Sequence, residues 1–123
     1  MSHNKTAIAD WNALKDRVPA HARVGEVDLV VLRLGDEVSV LYGRCTHRNA
    51  LLAEGRVEGE ALVCAVHGWD YHCRTGRSGV DQEEALAPFE AWIEDGSVWV
   101  DAEAVRLWRA RTPLDFFEDE LEP

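Results

Sequence analysis

Four side chains with metal-binding chemistry stand in two short pairs. Cys45 and His47 are separated by one residue and Cys64 and His67 by two, with sixteen residues between the pairs. The chain has three cysteines, an odd number, and two of them are followed within three residues by histidine. In a reducing compartment that pattern reads as metal ligation ahead of disulfide formation. Two thiolates and two imidazoles satisfy a tetrahedral zinc ion, and they equally satisfy a binuclear [2Fe-2S] centre with two Cys on one iron and two His on the other. Structural zinc sites commonly draw like ligands from each short segment. Here each segment offers one of each kind, which suits a cluster whose two irons are both reached from each loop. A zinc-stabilised binding module without redox activity stays open as the alternative of another class.

The elements that must position these residues are predominantly strands. DLVVLRL (28–34) and EVSVLY (37–42) flank Gly35-Asp36 and read as a hairpin. Val57 and the run 61–66 flank Gly59, and FEAWI (89–93) turns at Asp95-Gly96 into SVWV (97–100). WDYHCRTG adds a further strand that ends at Thr75-Gly76. Both Cys-His pairs fall where a strand gives way to a loop, so two loops at hairpin tips are expected to face one another. Six or seven short strands predict an all-β fold, an antiparallel β-sandwich or open barrel. Ile8, Trp11, Leu14 and Val18 stand at near-helical spacing before Pro19, which predicts a short leading helix over 6–18. The stretch DAEAVRLWRAR beyond position 101 predicts a closing helix.

At 123 residues, with no linker or repeat, the chain reads as one domain over 1–123, its core at about 10–101, followed by a C-terminal helix and acidic tail over 102–123. Hydrophobic residues make up 46% of the chain, enough for an ordinary core. The formal charge of −10 argues against nucleic acid and favours a protein partner with a basic docking face. Polar residues interrupt every apolar run at the N-terminus, so neither a signal peptide nor a membrane span is expected, and the location is read as cytoplasmic. In the tail, Phe116 and Phe117 read as a surface-packed end or as a docking segment. Cys73 reads as a core thiol, Trp92 and Trp99 as packing residues, and His3, His21 and His72 as surface or packing residues.

The segments C-T-H-R-N-A-L-L and C-A-V-H-G-W-D-Y, so spaced, resemble the Rieske iron-sulfur family, and the similarity continues through APFEAWIEDGSVWV. The resemblance implies a Rieske-like fold with a cluster-binding subdomain of two loops and one [2Fe-2S] cluster per chain. It further implies that Cys45 and Cys64 hold the inner iron while His47 and His67 hold the outer, electron-accepting one. Positions where respiratory Rieske proteins carry a loop disulfide are Ala50 and Val66 here, and their cluster-donating Ser is Trp69. Losing that donor predicts a potential in the lower part of a range of about −150 to +300 mV. Tyr71 stands where family tyrosines reach a ligand thiolate, Asn49 where Gly is usual, and His72 where Asp is common. Arg48 and Gly68-Trp69 are similar to the Rieske domains of ring-hydroxylating oxygenases, but with His3, His21 and His72 scattered along the sequence the second, mononuclear iron site of those enzymes is not expected here. The implied role is a soluble Rieske-type ferredoxin, not an enzyme, passing one electron from a reductase to an oxygenase or other redox enzyme. A tightly bound Rieske subunit of a larger oxidoreductase is the second implied reading.

Overall fold

The computed structural model describes residues 4–45, 50–65, 68–79 and 85–112. Their order is β1 (Lys5–Asp10), a 3₁₀ turn (Trp11–Ala13), β2 (Ala20–Val24), β3 (Val27–Leu34), β4 (Glu37–Tyr42), a second 3₁₀ turn (Leu52–Glu54), β5 (Arg56–Glu58), β6 (Ala61–Val63), β7 (Asp70–His72), β8 (Pro88–Phe89), β9 (Ala91–Glu94), β10 (Ser97–Asp101) and α1 (Ala102–Arg111). Three antiparallel sheets result, ordered β1-β10-β9, β2-β3-β4-β8 and β5-β6-β7. None of them closes on itself. The third and smallest is the subdomain that carries the second Cys-His pair.

The central strand is β3, and its composition explains why. Seven of its eight residues are buried, and VDLVVLRL is the near-continuous apolar run expected of a strand covered on both faces. It pairs with β2 on one side, from Ala20↔Val31 to Val24↔Val27, and with β4 on the other, from Leu29↔Tyr42 to Leu34↔Glu37. Two-residue turns at 25–26 and 35–36 leave no slack in either hairpin, which fixes the register at which β4 delivers the chain to Cys45.

The expected leading helix over 6–18 is not formed. Residues Lys5–Asp10 pair with β10 from Lys5↔Asp101 to Asp10↔Ser97, with a register irregularity between Ala7 and Ala9. Val98 and Val100 of β10 are fully buried, so the backbone of this strand needs partners on both sides. That tertiary demand overrides a periodic pattern that rested on four residues. Beyond Asp10, whose carboxylate accepts from the Asn12 amide at 3.0 Å, the chain is held by Arg33. Its guanidinium donates to the carbonyls of Trp11 and Leu14 at 3.1 and 3.3 Å and lies 4.2 Å from the Trp11 ring centroid. Among the described residues there are ten strands where six or seven were expected, β1 and β2 having been passed over and one expected strand being two.

Phe89 and Ala91 fall in different sheets, β8 on β4 and β9 on β10, so the expected single strand 89–93 is split at Glu90. The split places Phe89 against Trp108 of α1 in an edge-on contact, with centroids 5.4 Å apart, and Trp108 in turn lies 4.8 Å from Tyr42. The helix therefore braces the end of β4, three residues before Cys45. Trp92 and Trp99 face one another across β9 and β10, and their indoles donate to Glu94. Both are half-buried at the surface of this sheet, with the Lys5 ammonium 4.8 Å from the Trp99 ring centroid.

Helix α1 starts at Asp101, whose carboxylate accepts from the amides of Glu103 and Ala104. Asp101→Ala is expected to cost about 1 kcal/mol of stability, read as a lowered thermal midpoint, whereas Asp101→Asn should hold the wild-type value.

Candidate metal centre

The two loops that carry the Cys-His pairs are closed in the same way. The Cys45 amide donates to the Ala50 carbonyl at 2.8 Å, and the Cys64 amide donates to the Trp69 carbonyl at 2.7 Å. Each of these cysteines thus opens a loop and ties its own amide to the residue five positions on. In the first loop a second bond, Leu52 amide to Gly43 carbonyl at 2.9 Å, and an antiparallel bridge between Arg44 and Leu51 extend the closure outward. In the second loop Val63 and Asp70 continue it as a β6–β7 pair. His47, Arg48, Asn49 and His67 lie within the spanned segments, outside the described residues.

Both thiols are buried, Cys45 at 0% and Cys64 at 1% exposure, and all three cysteines are free. Tyr71 connects the two halves of the site. It belongs to β7, whose neighbour β6 leads into Cys64, and its hydroxyl stands 3.2 Å from the Cys45 Sγ. The first cysteine therefore lies against the sheet that carries the second. With Cys45 as a thiolate, the hydroxyl must be the donor. A buried thiolate without a cation is expensive, so two buried cysteines at loop mouths, one with a hydroxyl aimed at its sulfur, are a donor set that fits the sulfur-ligated side of an iron-sulfur cluster.

Close packing holds these stems in place. A Cβ at Gly43 would stand 2.6 Å from the Leu29 carbonyl carbon, and one at Gly55 would stand 2.0 Å from the Val63 carbonyl oxygen. Gly43 thus seats the first stem on β3. Gly55 lets the chain leaving the first loop pass directly over the residue before Cys64. Trp69 is half-buried and packs against the core, so it belongs to the wall of the second loop.

Asp28 is the site residue that the sequence reading passes over. It is 8% exposed, with His21 Nε2 2.8 Å from Oδ1 and Arg44 Nε 2.7 Å from Oδ2. Burial by itself would raise this carboxyl, but the hydrogen bonds to His21 and Arg44 and the charges of Arg44 and Arg23 outweigh burial and hold it below the usual carboxylate value. The available signal was an acidic residue inside an otherwise apolar strand, since a carboxylate is almost never buried without a partner. His21 is accordingly a partnered residue, while the His72 ring nitrogen Nδ1 accepts from the amides of Arg74 and Thr75 as a turn residue. Cys73 is fully buried, and burial, with the Glu60 carboxylate adding to it, pushes its thiol up, as befits a core residue.

An all-β scaffold that closes two loops by their cysteine amides and buries both sulfurs fits a small iron-sulfur domain. The chain belongs to the Rieske [2Fe-2S] domain family, whose model matches residues 4–90. It is 34% identical over 82 residues to "Ferredoxin CarAc" of Metapseudomonas resinovorans, covering 66% of this chain and 77% of that one. It is 31% identical over 104 residues to the anthranilate 1,2-dioxygenase ferredoxin subunit of Burkholderia cepacia, covering 79% and 96% respectively. The solved ferredoxin of Sphingomonas yanoikuyae B1 superposes with a TM-score of 0.73 at 30% identity, over 80% of this chain and 98% of that one. Membership decides between the two metals left open by ligand type: the cofactor is a Rieske-type [2Fe-2S] cluster, and the protein is an electron carrier of the ferredoxin kind, not a catalyst.

Tyr71→Phe is expected to keep the cluster and to lower its reduction potential, because a donor to a ligand sulfur favours the more negative reduced state. A loss of roughly 1 kcal/mol of differential stabilisation corresponds to about 40 mV for one electron, measurable by redox titration of the visible spectrum.

Proposed function

We propose that Cys45 and Cys64 ligate the inner iron of the cluster and that His47 and His67 ligate the outer one. The observation that carries this reading is the pair of buried cysteines whose amides close the two loops, each with its histidine inside the span that it closes. When bound, the cluster takes up and gives back one electron. The chain's own residues keep water from the sulfurs, hold the two loop mouths at a fixed separation from β3 and β6, and aim the Tyr71 hydroxyl at Cys45. Arg48, Trp69 and Tyr71 are assigned to the shell around the ligands.

The electron passes from a reductase to an oxygenase, in keeping with the dioxygenase ferredoxin subunit to which the chain is similar. Among the described residues no helix is long and apolar enough to cross a membrane. We place the carrier in the cytoplasm. The formal charge of −10 suits partners with a basic docking face, because opposite fields accelerate encounter and screening removes that advantage. Trp69 at the position of a hydroxyl donor places the potential in the lower part of the family's range. Residues 1–123 form one domain in this reading, with 102–123 as its C-terminal helix and acidic tail.

Two measurements test the assignment. The dithionite-reduced protein should give a mixed-valence Rieske electron paramagnetic resonance signal with two irons and two acid-labile sulfides per chain. One zinc per chain and a silent spectrum would remove the redox reading altogether. His67→Cys should retain a cluster while moving its potential down towards about −400 mV, the plant-type value; an unchanged potential would take His67 off the iron. The rate of reduction by the cognate reductase should fall as salt is raised from about 10 mM to about 1 M, over which the screening length shrinks from about 30 to 3 Å.

A further inference from the structure

We propose that Asp28 is a positioning residue for the cluster: from inside β3 it grips the stem of the first ligand loop by main chain and side chain together, and so fixes where Cys45 presents its sulfur. The proposal rests on the assignment of Cys45 as a ligand.

The neighbours of Asp28 in β3 are apolar and buried, with Val27 at 3% and Leu29 at 0% exposure. A carboxylate in that setting costs more than it contributes to stability unless it is fully paired. Asp28 is paired on both oxygens, with Arg44 Nε at 2.7 Å on Oδ2 and with His21 Nε2 at 2.8 Å and Arg23 Nε at 3.5 Å on Oδ1. The three partners come from two places. His21 and Arg23 belong to β2 and so tie Asp28 to its own sheet, whereas Arg44 belongs to the loop stem and is the residue immediately before Cys45.

The main chain repeats the same grip. The Asp28 carbonyl accepts from the Gly43 amide at 2.8 Å, and Gly43 lies so close to β3 that an added Cβ would stand 2.9 Å from the Asp28 carbonyl carbon. Residues 43 and 44 are therefore held to one residue of β3 by a backbone bond and a charge-assisted side-chain bond. From Arg44 the restraint passes to the returning arm through the bridge to Leu51, and to Cys45 through one peptide link. The first arm gains a fixed height and tilt on the sheet. Nothing in forming the sheet requires a buried carboxylate at position 28, since Val or Thr would satisfy the strand. Its presence is explained by what it holds.

The consequence is a specific division of effects. Losing Asp28 should disturb the geometry at Cys45 beyond what the loss of global stability explains. In Asp28→Asn the amide keeps the shape but loses the charge that binds Arg44 and His21, and in Arg44→Gln the partner is lost with Asp28 retained. Both variants are purified with their clusters and compared with wild type in three readouts: the electron paramagnetic resonance g-values and line widths of the reduced state, the reduction potential, and the rate of iron release to 2,2′-bipyridyl. Val98→Ala, which opens a cavity in β10, outside the sheet that carries the loop stem, serves as the control for global destabilisation. The expected result is iron release faster by roughly tenfold in each variant, the scale of one charge-assisted hydrogen bond, with broadened or shifted g-values and a moved potential. The double variant should be no worse than the worse single one, because the two residues act as a pair. Wild-type g-values and potential in Asp28→Asn, with iron release no faster than in Val98→Ala, would overturn the proposal, as would additive effects in the double variant. Should Asp28→Asn fail to fold, Arg44→Gln with Arg44→Lys decides the matter: release restored towards wild type by Lys supports the grip, and wild-type behaviour of the Gln variant refutes it. Failure of the ligand assignment itself is distinguishable, because wild type would then lack the two-iron Rieske signal.

Discussion

A ligand thiolate is stable in a protein interior only when its charge is met by metal and by aimed donors, and when the backbone that carries it cannot shift to let water in. Under the proposed ligation this constraint governs positions 45 and 64. Each cysteine amide is committed to the carbonyl five residues on, which closes the loop at its mouth and leaves the sulfur buried beside the core. The surrounding architecture follows from keeping those two mouths in place. β3 supplies the floor for the first, β6 and β7 supply the frame for the second, and the close passage of Gly55 over Val63 sets the two against each other. Even α1 takes part, since Trp108 packs on Tyr42 at the end of the strand that leads into Cys45.

What was legible in the sequence was whatever local rules determine. Alternation in EVSVLY, the apolar run of β3, the two-residue turns and the capped helix after Asp101 each report a conformation that neighbouring residues enforce. The two Cys-His pairs and their loop positions were legible for the same reason, because both short gaps lie inside single loops. The rest depended on partners distant in sequence. The segment KTAIAD carries no strong strand signal, and it becomes a strand because β10, some ninety residues away, presents buried valines with an unpaired edge. Phe89 leaves the strand of its sequence neighbours to pair with β4, where Trp108 of α1 packs against it. Asp28 announced itself only as an anomaly, an acid in an apolar strand, and its meaning needed Arg44, sixteen residues on.

Global and local charge point in opposite directions in this molecule. The chain as a whole is acidic, yet the stem of the first loop gathers Arg23, Arg44 and His21 around a single carboxylate. The two features act over different distances. Net charge works through solvent over about a screening length, and so bears on how a partner approaches. The buried group works over hydrogen-bond distances, where screening is weak and geometry decides, and so bears on how the loop stands. Neutralising surface acids and neutralising Asp28 should therefore move different observables, association in the first case and the centre itself in the second.

An electron carrier gains most from a ligand frame that is the same before and after the electron arrives, because every rearrangement is work added to the transfer. Dipoles and hydrogen bonds fixed in advance cost nothing at the moment the charge changes. The Tyr71 hydroxyl on Cys45 is of this kind, held by a fully buried ring in a paired strand. The cysteine amides are already spent on loop closure, so they stiffen the frame instead of pointing at the cluster. The chain thus separates two tasks that could have competed for the same donors: main-chain bonds set the rigidity of the loop mouths, and one tyrosine side chain adjusts the sulfur. In such an arrangement the potential can be tuned by changing side chains around the loops while the closure, and with it the position of both sulfurs, stays as it is.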